Sequence, residues 1–524
     1  MDSILRSPLR AQATRAGHGA ARRAVLDTAF LLVCLRFQIA SARSAGPELG
    51  PALLLGTAAF VLGAWNPPAA LFAFTLAVPL LIGVEVDSLV ECASPLGTVF
   101  SAMWMGMTVF ALLRRAGRAP AARAGSAGQS VGPIPDTPDL SPAFLVSDLL
   151  VVAVLLSLGW QLWRHRDAAG LWPALFDRPV FGFGEPMYFL TSAFLWLQGL
   201  FFFKSILGVW SGRCGAEGDG GRRDGPWVVP FLAATAATMA AFVFVQLVLH
   251  VPEGWTGAGF QAPYEDISSF GSIGVAVFIF AASTLRAVPP PRLAASVAAC
   301  GVLLSLVVLS WSRAAWLAGL VFLLLVAFCR LSWKWAASSL IGLVATVALI
   351  NAVARNAPQP EQPYLARLAA LARIESPLNK DPVRLNLYRK AAAMIERRPL
   401  TGHGIGSFYR ESVAFAPPDD PHGSEPEFAH NAILQVAAEL GLPAAAALAA
   451  LTAWGLWRGI GTWLAGRPQR PAVLALGTAL SLGAYLQTQM TANSLNVYAS
   501  NQFFFWFLLA ALLATGAGAP RTSG

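Results

Sequence analysis

Residues 187–208 read MYFLTSAFLWLQGLFFFKSILG, and that stretch decides the fold class. About 20 mostly apolar residues, rising 1.5 Å each, cross the ~30 Å hydrocarbon core of a bilayer as a single helix. Inside lipid a helix satisfies every backbone polar group within itself. Runs of the same kind recur along the chain. Fourteen candidate spans fall near 24–41, 51–64, 69–86, 95–113, 144–163, 187–208, 228–249, 267–287, 292–311, 313–330, 333–353, 430–457, 471–489 and 501–517. The second is short, and the pair over 292–330 divides in more than one way. The expected fold is therefore an all-α polytopic membrane protein of about 12–14 transmembrane helices.

Composition agrees. Charged residues make up 12% of the 524 and hydrophobic residues 56%, with a mean hydropathy of +0.57; a soluble domain carries about 25% charged residues. The net charge of +9 does not point to nucleic acid, because it follows a membrane topology. With the N-terminus inside, Arg114, Arg115, Arg118, Arg123, Lys204, Arg213, Arg222 and Arg223 are assigned to inner loops. Glu85, Asp87, Glu91, Glu253, Glu265 and Asp266 fall on outer loops. Such asymmetry sets orientation and places both termini in the cytoplasm. Arg6, Arg10, Arg15, Arg22 and Arg23 lead into the run from Val25 and read as the basic anchor of a first helix rather than a cleaved signal. Cys34, Cys92, Cys214, Cys300 and Cys329 are scattered, as small core residues are; they form neither a disulfide nor a metal framework.

One loop breaks the pattern of short connections. From Ala352 to about Ala429 the chain is polar and Pro-rich, and it lies on the outside. This divides the chain into membrane helices over 1–259, further membrane helices over 260–351, a large outer loop over 352–429 and C-terminal helices over 430–524. Within the loop, Asp381-Pro382 reads as the N-cap and first position of a helix. Leu387, Ala391, Met394 and Ile395 give it an apolar face, and Pro399 ends it. Arg384 and Tyr388 lie four apart on one face, with Arg389 beside them.

Four segments could carry chemistry, each with a structural alternative. Ser310-Trp311-Ser312-Arg313 ends a span on the outside; its Arg suits bidentate phosphate binding or simple snorkelling. Gly402-His403-Gly404-Ile405-Gly406-Ser407-Phe408 superficially suggests a phosphate cradle, but a tight backbone turn explains it better, since the loop faces away from cytosolic nucleotide. Glu427-Phe428-Ala429-His430-Asn431 returns to the membrane, and Asn431, Gln435 and Glu439 then form a polar line at i, i+4, i+8. There His430 can take a proton from an attacking hydroxyl or merely cap a helix. Tyr264-Glu265-Asp266 opens another outer helix start, where the carboxylates cap the helix or hold a sugar hydroxyl.

Taken in order, Ser312-Arg313, the pattern Arg398-Pro399-Leu400-Thr401-Gly402-x-Gly404-x-Gly406-x-Phe408, and His430-Asn431-x-x-Leu434-Gln435 followed by Glu439-Leu440-Gly441-Leu442 resemble the O-antigen ligase and O-antigen polymerase superfamily over about residues 260–445. The resemblance implies a GT-C-like helical bundle in the bacterial inner membrane with a periplasmic active site. It implies transfer of a glycan from an undecaprenyl-diphosphate donor to an acceptor hydroxyl, on lipid A-core or a growing glycan, with neither metal nor cofactor. His430 matches the loop-end His that activates the acceptor, and Arg313 the helix-end Arg that holds the diphosphate. Family members often carry a further Arg before residue 260. Residues 250–266 hold none, so Arg384 or Arg389 is the expected substitute. Tyr388, Asn431, Glu265 and Asp266 complete the expected substrate contacts. A ligase, a polymerase and a protein O-glycosylating transferase share these motifs; a lipid-linked oligosaccharide flippase is the alternative from another class.

Overall fold

The computed structural model describes residues 25–41, 49–82, 101–109, 140–167, 181–210, 228–249, 267–285, 290–310, 312–330, 382–418, 425–466, 469–491, 494–497 and 499–515, with isolated positions between. Among these residues every regular element is helical. The helices are α1 (25–41), α2 (Leu49–Trp65), α3 (Pro67–Ile82), α4 (101–109), α5 (Ser141–Arg164), α6 (Tyr188–Trp210), α7 (Val228–Leu249), α8 (Ile267–Thr284), α9 (Pro290–Leu309) and α10 (Arg313–Arg330). After the polar segment come α11 (Pro382–Arg397), α12 (Phe408–Glu411), α13 (Ala432–Leu440), α14 (Leu442–Ala465), α15 (Arg470–Gln489), α16 (Ser494–Val497) and α17 (Ala499–Thr515). Of these, α5 and α6 are long and apolar enough to cross a bilayer, and shorter apolar helices accompany them. The expected span 333–353, the whole of the loop before α11, and Glu265 and Asp266 lie outside the described residues.

The stretch 187–208 becomes α6, which is buried on nearly every face. A helix apolar all round belongs in an interior, and its neighbour there is α17, also buried from Phe503 to Leu513. Aromatic rings fill the seam. Phe202 meets Phe503 edge-on at 5.3 Å, and Trp196 meets Trp506 at 6.3 Å. The close approach needs Gly199, where a Cβ would lie 2.5 Å from the Trp506 ring. Around this pair, α8 packs along α15, α9 and α10, while α14 bridges α15, α17 and α5.

Two expectations change. Lys204 does not belong to an inner loop. It lies within α6, 9% exposed, and pairs with Asp148 of α5 at 2.7 Å. A buried charge needs such a partner, because desolvation alone would cost several kcal/mol. The apolar run 430–457 is also not one helix. Gly441 (φ 87) ends α13, and α14 starts afresh with Pro443 in its first turn, where the missing N–H costs nothing. At 9 residues, α13 is too short to span, so it belongs with the polar segment.

That polar segment has its own small core. Ala391 and Met394 of α11, Phe408, Ala429 and Ala438 are buried together, with Ile395, Phe415 and Leu434 against them. The helix read from Pro382 is present with the apolar face assigned to it. Lys390, also on α11, is buried and pins the chain that follows, reaching Asp420 Oδ2 at 3.3 Å and the Gly423 carbonyl at 3.4 Å.

The buried pair makes a direct prediction. Lys204→Met removes the cation paired with buried Asp148, and should lower stability by about 3–5 kcal/mol. Adding Asp148→Leu should recover most of the loss, read as the unfolding midpoint of the detergent-solubilised protein.

Candidate functional site

The site is built on the turn that enters α13. Asn431 is extended (φ −153) and caps the helix, its Oδ1 accepting from the backbone N–H of Ile433 and Leu434, each at 3.1 Å. An Asn N-cap satisfies helix donors that otherwise have no partner. To reach that geometry the preceding residue turns left-handed. His430 has φ 47, and no other non-glycine described residue has a positive φ. Such a backbone costs energy that the surrounding contacts must hold. Its ring Nε2 lies 3.1 Å from Glu427 Oε1, three residues back, and the His side chain stays 35% exposed. A carboxylate only accepts, so Nε2 carries a hydrogen, and whenever the ring is neutral Nδ1 keeps the lone pair. The hydrogen bond from His430, with the charges of His430 and Lys390, holds the Glu427 carboxyl below its ordinary range despite partial burial.

Tyr388 joins this turn from α11. Its hydroxyl donates to the Met490 carbonyl at 3.0 Å, and Asn431 Nδ2 reaches the same oxygen at 3.5 Å. The structure thus brings His430, Asn431 and Tyr388 together and adds Glu427 and Met490. Arg384 is half-buried and Arg389 exposed on the same helix as Tyr388, with Arg389 Nη1 donating to Asn386 Oδ1 at 3.3 Å. Arg313 opens α10 behind Ser312, whose hydroxyl accepts from Ala315 N–H at 3.3 Å.

The polar line along α13 has a structural job. Gln435 Oε1 accepts from Ala429 N–H at 3.4 Å, and its Nε2 donates to Glu439 Oε1 at 3.0 Å. Glu439 then takes the Gly406 and Phe408 backbone N–H groups at 2.9 and 3.3 Å. Gly402, Gly404 and Gly406 all have positive φ, so this loop forms the kind of nest that binds anions. That place is filled by the chain's own Glu439 carboxyl group, and the loop is therefore a backbone clasp rather than a phosphate cradle. The backbones also meet: His403 N–H donates to the Ala438 carbonyl, Gly404 N–H to the Glu439 carbonyl, and Leu442 N–H to the Pro399 carbonyl, at 2.9, 2.9 and 2.7 Å.

From the other side α5 grips the same loop. Ser157 Oγ accepts from Ile405 N–H at 2.7 Å, Gln161 Nε2 reaches the His403 carbonyl at 3.5 Å, and Arg164 pairs with Glu411. These three residues share one face of α5 at helical spacing, a signal visible in the sequence but not read there. His403 is buried with Nδ1 3.1 Å from Glu411 Oε2 and Nε2 3.1 Å from the Met394 carbonyl, so it locks the loop rather than facing a substrate. Burial pushes Glu411 up, but the hydrogen bonds and charges of His403 and Arg164 outweigh it and hold the carboxyl below its ordinary range.

Two consequences of the clasp are measurable. At Gly402 a Cβ would sit 2.3 Å from the Glu439 carbonyl oxygen, on a backbone with φ 64. Gly402→Ala should therefore destabilise the protein by about 2 kcal/mol or more, seen as a lower melting midpoint. Burial also pushes Glu439 up from 4.5 to about 7, against the pull of its three donors. A carboxyl with a folded value above its unfolded one contributes stability fully below about 4.5, and loses it as pH rises through about 7. Wild type should melt higher at pH 5.5 than at pH 8, and Glu439→Gln should flatten that part of the pH dependence.

Residues 298–449 match the family model described as O-antigen ligase. No curated protein matches the chain. The matched region runs from within α9 into α14 and contains Arg313, all of α11, the glycine clasp, and the Glu427–His430–Asn431 turn. The similarity to O-antigen ligases thus covers residues 298–449, the part of the chain that holds the clasp and the His430 turn.

Proposed function

We propose that the protein is a membrane glycosyltransferase that moves a glycan from undecaprenyl diphosphate to an acceptor hydroxyl on the periplasmic face of the bacterial inner membrane. The observation that carries this reading is the Glu427–His430 pair, held at 3.1 Å on a strained turn inside the matched region. Glu427 fixes the imidazole tautomer, and His430 Nδ1 receives the acceptor proton as the acceptor oxygen attacks the anomeric carbon. The bond from that carbon to the diphosphate oxygen breaks, its electron pair leaves with undecaprenyl diphosphate, and the configuration inverts. Arg313, with Arg384 or Arg389, neutralises the departing diphosphate, while Glu265 and Asp266 hold sugar hydroxyls. Tyr388 and Asn431 fix the turn through the Met490 carbonyl.

The reading assigns no metal or cofactor. It carries the GT-C-like arrangement and the large periplasmic loop with it, and places both termini in the cytoplasm. Lipid A-core is the proposed acceptor. A growing glycan, as in a polymerase, or a protein hydroxyl would use the same chemistry.

The test uses purified protein, an undecaprenyl-diphosphate-linked glycan and EDTA throughout, with lipid A-core, a second donor molecule or a Ser-rich peptide as acceptor. Transfer should survive EDTA, and the acceptor that gains mass names the subtype. His430→Ala should lower the rate about 10²–10⁴-fold, and Arg313→Ala should lower it strongly. Glu427→Gln should lower it about tenfold by loosening the ring's orientation. Full activity in both Ala variants would remove the assignment. A folded wild type that transfers to none of the three would turn attention to lipid-linked oligosaccharide flipping in vesicles.

A further inference from the structure

Beside the His430 turn lies an aromatic cluster that the mechanism above does not use. Phe428, the residue after Glu427, meets Phe183 edge-on at 5.0 Å and Tyr409 at 4.8 Å, and Phe183 and Tyr409 are 6.1 Å apart. Buried Tyr188 lies under Phe183 at 5.2 Å. The three upper rings come from three separate segments: the α5–α6 connection, α12, and the turn before α13. Each is only half-buried, so each keeps part of its surface toward solvent.

The connection that carries Phe183 is built rather than loose. Thr191 Oγ1 accepts from Phe181 N–H at 2.7 Å, and Glu185 Oε1 accepts from Gly182 N–H at 2.9 Å. Gly184 turns at φ 78, where a Cβ would touch the Tyr409 ring at 3.4 Å. Polar braces thus hold aromatic surface in the open, next to the pair that would handle the proton. Because Glu427 and His430 are bonded across one short turn, Phe428 cannot move independently of them.

We infer that Phe183, Tyr409 and Phe428 form a stacking platform for a pyranose ring of the glycan, the one next to the bond being made or broken. A pyranose has an apolar C–H face and a rim of hydroxyls. The rings match the face through weak C–H contacts, and Glu427, Glu185 and the Tyr409 hydroxyl supply polar groups for the rim. A polyprenyl tail would call for continuous aliphatic lining, and this cluster is bordered by carboxylates. The platform sets the height of the sugar above His430, so its residues are positioning residues. The inference rests on the glycosyltransferase reading for the identity of the bond, but not for the binding itself.

The experiment therefore separates binding from transfer. Phe183→Leu, Tyr409→Leu and Phe428→Leu keep apolar volume while removing the ring. Full-length protein in nanodiscs is titrated calorimetrically with glycan released from lipopolysaccharide by mild acid, and separately with sugar-free undecaprenyl diphosphate. Each variant should bind the glycan about five- to tenfold more weakly and show a raised KM with kcat less affected. Affinity for undecaprenyl diphosphate and the melting midpoint should stay at wild-type values. Unchanged glycan affinity in all three variants would reduce the cluster to packing and overturn the inference. Equal weakening of both ligands would overturn it too, as would a wild type that binds no glycan. A wild type that binds glycan through these rings yet transfers none would leave the platform standing and remove the transferase reading.

Discussion

Everything at the candidate site hangs on one buried carboxylate. Glu439 gathers the Gly406 and Phe408 N–H groups and the Gln435 amide, and so fastens a loop with no regular structure of its own onto α13. Gln435 in turn reaches back to Ala429 N–H, which sets the start of the turn that carries His430. The hydrogen bonds run from the clasp to Ala429, the residue next to His430. Its energetic balance is narrow, because burial opposes ionisation and the three donors favour it. A buried polar network of this kind specifies one geometry only while every member is satisfied.

The rest of the fold supports that clasp from beneath. Rings interleaved between α6 and α17 give a rigid interior, and α5 is anchored to it by the Lys204–Asp148 pair. From its far end α5 presents Ser157, Gln161 and Arg164 to the loop. The N-terminal half thus contributes to the site indirectly, as a wall against which the loop is pressed. The match to O-antigen ligases begins only at residue 298, yet the loop within it leans on residues well before that point.

Much of this was legible in the sequence. Pro382, the apolar spacing of Leu387, Ala391 and Met394, and Pro399 delimit a helix by local rules alone, and the structure has it at Pro382–Arg397. The placing of His430 at a helix entrance also followed from local pattern. What local pattern cannot carry is pairing across distance. The bond between Glu439 and Gly406 spans 33 residues, and that between Ile405 and Ser157 spans 248. The i, i+4, i+8 line on α13 was visible as polar residues in an apolar run, but its purpose depended on a partner loop elsewhere in the chain. The break at Gly441 is a different case. Gly441-Leu442-Pro443 is a local helix restart signal, outweighed in a hydropathy reading by the apolar residues on both sides.

That break has a mechanical consequence. A glycine between two helices usually implies a hinge, but here the space a side chain would need is already taken: a Cβ on Gly441 would lie 2.3 Å from the Leu400 carbonyl oxygen. Leu442 N–H is also tied to the Pro399 carbonyl. The joint is bent and clamped, so α14 and the turn bearing His430 move as one body. If α14 spans the membrane as the sequence reading expects, its position there is governed by the match between its apolar length and the local lipid thickness. On the proposed glycosyltransferase reading, a thicker or thinner bilayer would then raise or lower the imidazole relative to the acceptor, as water does a float.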